Sequence, residues 1–223
     1  MTAVEVDGIW KYYGDFAALR GISFTAGQGT CLALLGRNGA GKTTLLRIIA
    51  GLSRQAKGSV RVLGAGIREQ AARRRVGVLG HGIGIYDELS AEENLLLFGR
   101  LYGLENPQRS AAEWLERTGL SSVSQSVARE YSRGMRQRLA VARAFLHDPE
   151  VLLLDEPFTA LDDRAIALLQ GLLRSALEQG KTVVMSTHQL REAMELATHV
   201  GLINRGTLAY YDVRTPEMLA DPG

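Results

Sequence analysis

The eight residues Gly36-Arg37-Asn38-Gly39-Ala40-Gly41-Lys42-Thr43 constrain this chain more than any other stretch. They fit G-x-x-x-x-G-K-[ST] and stand between a short apolar run, Thr30 to Leu35, and a segment, Thr43 to Ala50, in which Leu45, Leu46 and Ile49 recur at helical spacing. A strand, a glycine-rich turn and a helix are the context in which this pattern acts as a phosphate cradle. Gly36, Gly39 and Gly41 let successive N–H groups, including those of Asn38 and Ala40, point inward at phosphate oxygens, and the following helix adds the positive end of its dipole. Lys42 is expected to reach the β- and γ-phosphates, Thr43 to offer its hydroxyl to Mg²⁺, and Thr44 to donate near the α-phosphate.

Apolar runs recur at Val76 to Leu79, Val151 to Leu154, Thr182 to Met185 and His199 to Ile203, most of them followed by helical periodicity. This alternation predicts an α/β fold with a largely parallel sheet covered on both faces. From about residue 87 to 148 the pattern changes to helices (Glu92 to Leu101, Ala111 to Thr118, Gly134 to Leu146) without a clear strand. The reading is a single domain in which residues 1–86 and 149–223 form a nucleotide-binding core and 87–148 an inserted helical lobe. Asn204-Arg205-Gly206-Thr207 reads as a hairpin turn near the end of the chain, after which no separate C-terminal regulatory domain is expected.

With 223 residues, 46% of them hydrophobic, the chain can bury about 70% of its unfolded surface, which excludes a disordered chain. A net charge of +2 argues against a nucleic-acid partner, and Arg73-Arg74-Arg75 reads as a solvated face. The single cysteine, Cys31, lies inside an apolar run as a small buried hydrophobe, so no intrachain disulfide can form. The first residues lack a basic leader pattern, and no apolar stretch approaches the roughly 20 residues of a membrane helix. Any work at a membrane is therefore expected to go through a partner.

A second constellation is Val151-Leu152-Leu153-Leu154-Asp155-Glu156. A buried strand ending in Asp155 places a carboxylate where it can hold the Mg²⁺ of a bound nucleotide, and Glu156, one residue on, can accept a proton from the attacking water.

With these motifs in place, the chain resembles the ATP-hydrolysing subunit of ABC transporters over nearly its whole length. Tyr13, in Lys11-Tyr12-Tyr13-Gly14, matches the aromatic that stacks on adenine. Tyr131-Ser132-Arg133-Gly134-Met135 stands where the family's loop runs Leu-Ser-Gly-Gly-Gln, with Ser132 and Gly134 kept as an anion site and Arg133 and Met135 as departures. Thr159-Ala160-Leu161-Asp162 matches the loop that crosses to the other subunit, and His188 matches the switch histidine near the γ-phosphate. The resemblance implies an ABC ATPase with a mixed, mostly parallel sheet core, an N-terminal antiparallel β portion and an inserted helical subdomain. It also implies ATP and Mg²⁺ as cofactors, two subunits sandwiching two ATP molecules head to tail, a membrane permease as partner and a place at the cytoplasmic face of the membrane.

His81 stands where the family usually has a glutamine that contacts Mg²⁺ and the attacking water. Gly80-His81, with Gly84-Ile85, Glu88-Leu89-Ser90-Ala91 and Thr187-His188-Gln189, is similar to the ATPase of the haem exporter used in cytochrome c maturation. Tyr131 to Gln137 also resembles ATPases of polysaccharide, lipid and drug exporters, which is the alternative reading. Two other classes fit less well. Soluble ABC ATPases of DNA repair or translation usually carry coiled-coil insertions or two cassettes, and a regulator without turnover is expected to lose Glu156 or His188.

Overall fold

The computed structural model describes residues 1–80, 84–159 and 161–215. The apolar runs form a six-stranded sheet, β3 (Cys31–Leu35), β6 (Val76–Leu79), β7 (Val151–Asp155), β8 (Thr182–Ser186), β9 (His199–Asn204) and β10 (Thr207–Val213), in the order β10-β9-β3-β8-β7-β6. Pairing is parallel throughout except at β9 and β10, the hairpin read from Asn204 to Thr207. Why these strands read as continuous apolar runs is visible in their packing. Leu32, Leu34, Val151, Leu153 and Val184 join one apolar cluster, while their neighbours Cys31, Ala33, Leu152, Leu154, Val183 and Met185 join another on the opposite face. Successive residues of a strand point to opposite sides, so a strand covered on both faces is apolar along its middle and keeps polar side chains such as Asp155 and Ser186 for its end.

The first face is covered by α1 (Lys42–Ile49) and by an N-terminal antiparallel sheet. That sheet has the order β2-β1-β4-β5, from β1 (Thr2–Tyr13), β2 (Phe16–Gly27), β4 (Lys57–Val62) and the short β5 (Ala65–Gly66), with α2 (Gln70–Arg73) after it. In β1, Val4, Val6 and Ile9 turn inward while Glu5 and Asp7 face out. The other face is covered by α5 (Arg133–Phe145), α6 (Asp163–Glu178) and α7 (Leu190–Met194).

Between β6 and β7 stand α3 (Ala91–Tyr102), α4 (Pro107–Arg117) and α5, which share an apolar cluster of their own that includes Leu95, Leu115, Leu120 and Leu139. Their starts are set by side chains. Ser90 accepts from the Glu93 N–H while Glu93 returns to the Ser90 N–H, a reciprocal cap worth about 1 kcal/mol. Asn106 accepts from the Arg109 N–H at 3.0 Å, with Pro107 as first helical residue, so α4 begins four residues ahead of the apolar periodicity at Ala111.

At the seam between α5 and β6 the His147 ring stacks on Tyr102, centroids 3.6 Å apart, with Nε2 3.2 Å from the Val76 carbonyl. Burial, aided by the Arg143 charge and opposed by that hydrogen bond, lowers its pKa to about 4. The unfolded chain takes up a proton near pH 6.5, whereas the folded chain resists it down to about pH 4. Stability is therefore complete above about pH 6.5 and falls as the pH drops towards 4, by about 2 kcal/mol at pH 5. His147→Phe, which keeps the stacking surface, is expected to shrink the stability difference between pH 7 and pH 5 by about that amount. Urea unfolding at the two pH values measures it, and an unchanged difference would remove His147 as its source.

Candidate functional site

The site lies at the carboxyl ends of the parallel strands, where loops leave the sheet and ligands of open α/β sheets bind. β3 runs into the loop 36–41, β7 ends in Asp155-Glu156, and β8, lying between them, ends in Ser186-Thr187-His188.

Two glycines of the loop are required by geometry. Gly36 has φ 143°, and a Cβ there would stand 2.3 Å from the Ile203 carbonyl oxygen at the end of β9. Gly41, at φ 111°, would bring a Cβ to 2.7 Å from Leu19 Cδ2. Any other side chain would push the loop off β9 and off β2, and the backbone conformation itself disfavours one.

Lys42 is 6% exposed and lies within the loop. Its Nζ donates to the Gly36 carbonyl at 2.6 Å and the Arg37 carbonyl at 3.4 Å, and lies 3.9 Å from Glu156 Oε1. Thr43 Oγ1 donates to Asp155 Oδ1 at 2.9 Å, and Ser186 Oγ donates to the same oxygen at 2.5 Å. Glu156 sits at φ 51°, a strained conformation for a residue other than glycine, held by its N–H donating to the Ser186 carbonyl at 3.0 Å. Its carboxylate turns back towards the end of β8. Oε2 accepts the His188 N–H at 3.2 Å and lies 2.8 Å from His188 Nδ1. An ionised carboxylate can only accept, so the hydrogen bond between them is donated by His188 Nδ1.

These residues open on a cleft of about 440 Å³, within the size range of small-molecule sites, lined by Tyr13, Phe16, Ala18, Asn38 to Thr44, Glu156, Thr159 and His188. Tyr13 is 53% exposed at its mouth. The sequence reading is thus brought together at one place for Tyr13, Asn38, Gly39, Ala40, Gly41, Lys42, Thr43, Thr44, Glu156 and His188, with Asp155 behind Thr43 and Gly36 under Lys42. Ser132 and Gly134 are not among the described residues lining this cleft. Ser132 is the N-cap of α5, accepting from the Met135 N–H at 3.2 Å, and Gly134 follows in the first turn. His81, the residue read as a contact of metal and water, lies outside the described residues.

The donors present suit Mg²⁺. One carboxylate beside one hydroxyl is the oxygen set of an ion that keeps several waters and leans on substrate phosphates. Among the described residues no three His, Cys, Asp or Glu side chains group as a closed metal cage. The Thr159 hydroxyl, at the cleft wall, is buried without a hydrogen-bond partner.

Ser186 and Phe16 were not singled out in the sequence, and Thr159 was read only as part of the loop that crosses to the other subunit. Ser186 pairs with Asp155 across β7 and β8, a register no local pattern reveals. Gln137 Nε2 also donates to the Pro157 carbonyl at 3.0 Å, tying α5 to the segment just after Glu156.

Residues 19–159 match the family described as ABC transporter. The chain belongs to the ABC transporter family. As a cassette of that family it binds ATP and hydrolyses it in coupling to transport. It is 41% identical over 92% of its length to the daunorubicin resistance ATP-binding protein DrrA3 of Streptomyces coeruleorubidus, and spans 66% of that protein. It is 40% identical over 92% of its length to the Nod factor export ATP-binding protein I of Paraburkholderia xenovorans, spanning 69% of it. A solved ATP-binding subunit of an ABC transporter superposes with a TM-score of 0.88 at 28% identity, covering 95% of this chain and 90% of that one. A dimeric ATP-binding cassette in a post-hydrolysis state, bound to ADP and Pi, superposes at 0.84 and 25% identity over 95% of this chain and 99% of that one. The mixed sheet with its helical segment is therefore the ABC ATPase fold. Among the described residues of this ABC cassette no helix is long and apolar enough to cross a membrane.

Proposed function

We propose that this cassette drives a small-molecule exporter, working as a pair of copies against membrane permease subunits at the cytoplasmic face. The observation that carries the ATPase chemistry is the convergence of Lys42, Thr43, Asp155, Glu156 and His188 on one cleft. The relatives named for daunorubicin resistance and Nod factor export favour a drug or a Nod-factor-like molecule as cargo. The relatives named above carry names for daunorubicin resistance and Nod factor export and not for haem, so the haem reading of Gly80-His81 gives way to the alternative.

The roles follow from the geometry. Loop N–H groups and Lys42 hold the terminal phosphates and stabilise the charge that develops on them. Thr43 and Asp155 would hold Mg²⁺, whose chemistry there is neutralisation of phosphate charge. Ser186 fixes the Asp155 carboxylate. Glu156 takes the proton of the attacking water, and His188 keeps its carboxylate aimed. Ser132 and Gly134 stand off the cleft, which supports the reading that they close on the nucleotide of a second copy. The dimeric solved cassette supports the same reading.

Tagged chain recovered from detergent-solubilised membranes is expected to bring an integral membrane protein with it, and daunorubicin, the first probe, to stimulate ATP hydrolysis by that complex. Recovery of the chain alone, with turnover indifferent to membrane extract, would sink the exporter assignment.

A further inference from the structure

We infer that Ser186 is a positioning residue whose single hydroxyl sets the affinity of the cleft for the divalent cation that accompanies the nucleotide. The inference rests on the reading that Thr43 and Asp155 seat that cation, and deepens it by naming what holds the seat.

Asp155 ends β7, Ser186 ends β8, and the two are partners in the parallel register of these strands. Ser186 is wholly buried and Asp155 is 8% exposed. A carboxylate so far from water must find donors within the protein, and a buried hydroxyl must find a partner too. Ser186 Oγ donates to Asp155 Oδ1 at 2.5 Å, a distance at the short end for a hydroxyl bonded to an ionised acceptor. Thr43 Oγ1 donates to the same oxygen at 2.9 Å. Among the described residues both side-chain hydrogen bonds to Asp155 fall on Oδ1, which pins one oxygen and keeps the other for a cation or the water around it.

The two hydroxyls divide the work. Thr43 is exposed to the cleft and, having given its proton to Asp155, keeps its lone pairs for the ion. Ser186 stands on a strand interior to the sheet, out of reach of the ion, and serves only the carboxylate and its neighbour. Its Oγ accepts the Glu156 N–H at 3.3 Å, beside the bond of the same N–H to the Ser186 carbonyl at 3.0 Å. The cation seat and the backbone of the proton acceptor are thus set from one side chain. Because the carbonyl bond belongs to the backbone, the hydroxyl can be removed without releasing the turn at Glu156.

The test uses the intact chain, a non-hydrolysable ATP analogue and Mn²⁺ as the cation probe, read by its paramagnetic resonance. Ser186→Ala is expected to weaken Mn²⁺ binding to the complex of chain and analogue by about 10- to 100-fold, the usual effect of removing a hydrogen-bond partner of a metal ligand, and to leave the affinity for the analogue without any divalent cation unchanged. The Mg²⁺ concentration for half-maximal ATP hydrolysis should rise by the same factor with kcat at saturating Mg²⁺ kept, a split that a general loss of structure does not produce. Ser186→Thr, which returns the hydroxyl on a residue that strands favour, should bring Mn²⁺ affinity back. Mn²⁺ affinity within about threefold of wild type in Ser186→Ala would overturn the role of Ser186 and leave the nucleotide reading standing, and so would a loss of cation-free analogue binding as large as the loss of Mn²⁺ binding. Wild-type chain whose Mn²⁺ binding is indifferent to the analogue would overturn the cation seat itself, and the inference with it.

Discussion

Replacing Glu156 with Gln is expected to lower steady-state ATP hydrolysis by about 10²- to 10⁴-fold while ATP still binds. The amide has nearly the same shape, so the loop, Lys42 and the hydroxyl contacts of Asp155 are kept. What is lost is the acceptor for the water proton. The Glu156 carboxylate also stands in a charge pattern that the amide cannot reproduce, with Lys42 Nζ 3.9 Å from one oxygen and His188 Nδ1 2.8 Å from the other. An amide nitrogen facing Nδ1–H would place two donors together, and flipping the amide would aim that nitrogen at Lys42. The strained φ of 51° at this position is paid in both proteins, so the fold should tolerate the change. Phosphate release under saturating Mg-ATP, set beside nucleotide binding by fluorescence, separates the two quantities. Turnover at the wild-type rate would remove Glu156 from the proton-transfer role, and loss of binding together with turnover would show that the carboxylate holds the loop instead.

Lys42→Ala is expected to weaken ATP binding by about 100-fold or more and to abolish measurable turnover. Hydrogen bonds to charged groups contribute about 1.5–3 kcal/mol each, and Nζ has the reach and donors to serve two phosphate groups at once. Those donors point at the Gly36 and Arg37 carbonyls, 2.6 and 3.4 Å away, so the ammonium stands inside the loop. That arrangement keeps a side chain only 6% exposed from standing uncompensated, with Glu156 as the nearby countercharge. Removing it leaves Glu156 without the cation and the loop without its central donor, whereas α1 keeps Leu45, Leu46, Ile48 and Ile49 in the core. Calorimetric titration with ATP should show the loss in a protein that unfolds at nearly the wild-type urea concentration. Affinity within threefold of wild type would mean that the backbone N–H groups alone carry the phosphates.

Local chemistry explains what could be read from the chain before its fold was known. Gly36 to Thr43 is a contiguous pattern whose function resides in its own backbone, and Asp155-Glu156 closes a strand whose unbroken apolar run already marks it as buried on both faces. The same locality made the β9 and β10 hairpin legible at Asn204 to Thr207, and the helices at Leu95 and Leu139. The start of α4 was less legible, because Asn106 ends the preceding segment by a single side-chain cap that adds nothing to apolar periodicity.

Tertiary structure decided everything that depends on strand order and on contacts across the sheet. β8 could have been placed anywhere among the parallel strands by its composition, yet only its position between β3 and β7 sets Ser186 against Asp155 and His188 against Glu156. The closing of Gly36 against Ile203, and of Gly41 against Leu19, likewise joins segments more than a hundred and about twenty residues apart. A motif states which atoms meet a phosphate because its residues are covalently adjacent. Which carboxylate meets which histidine is set by the packing of whole strands, an energy summed over the two apolar faces of the sheet and written in no single stretch of the chain.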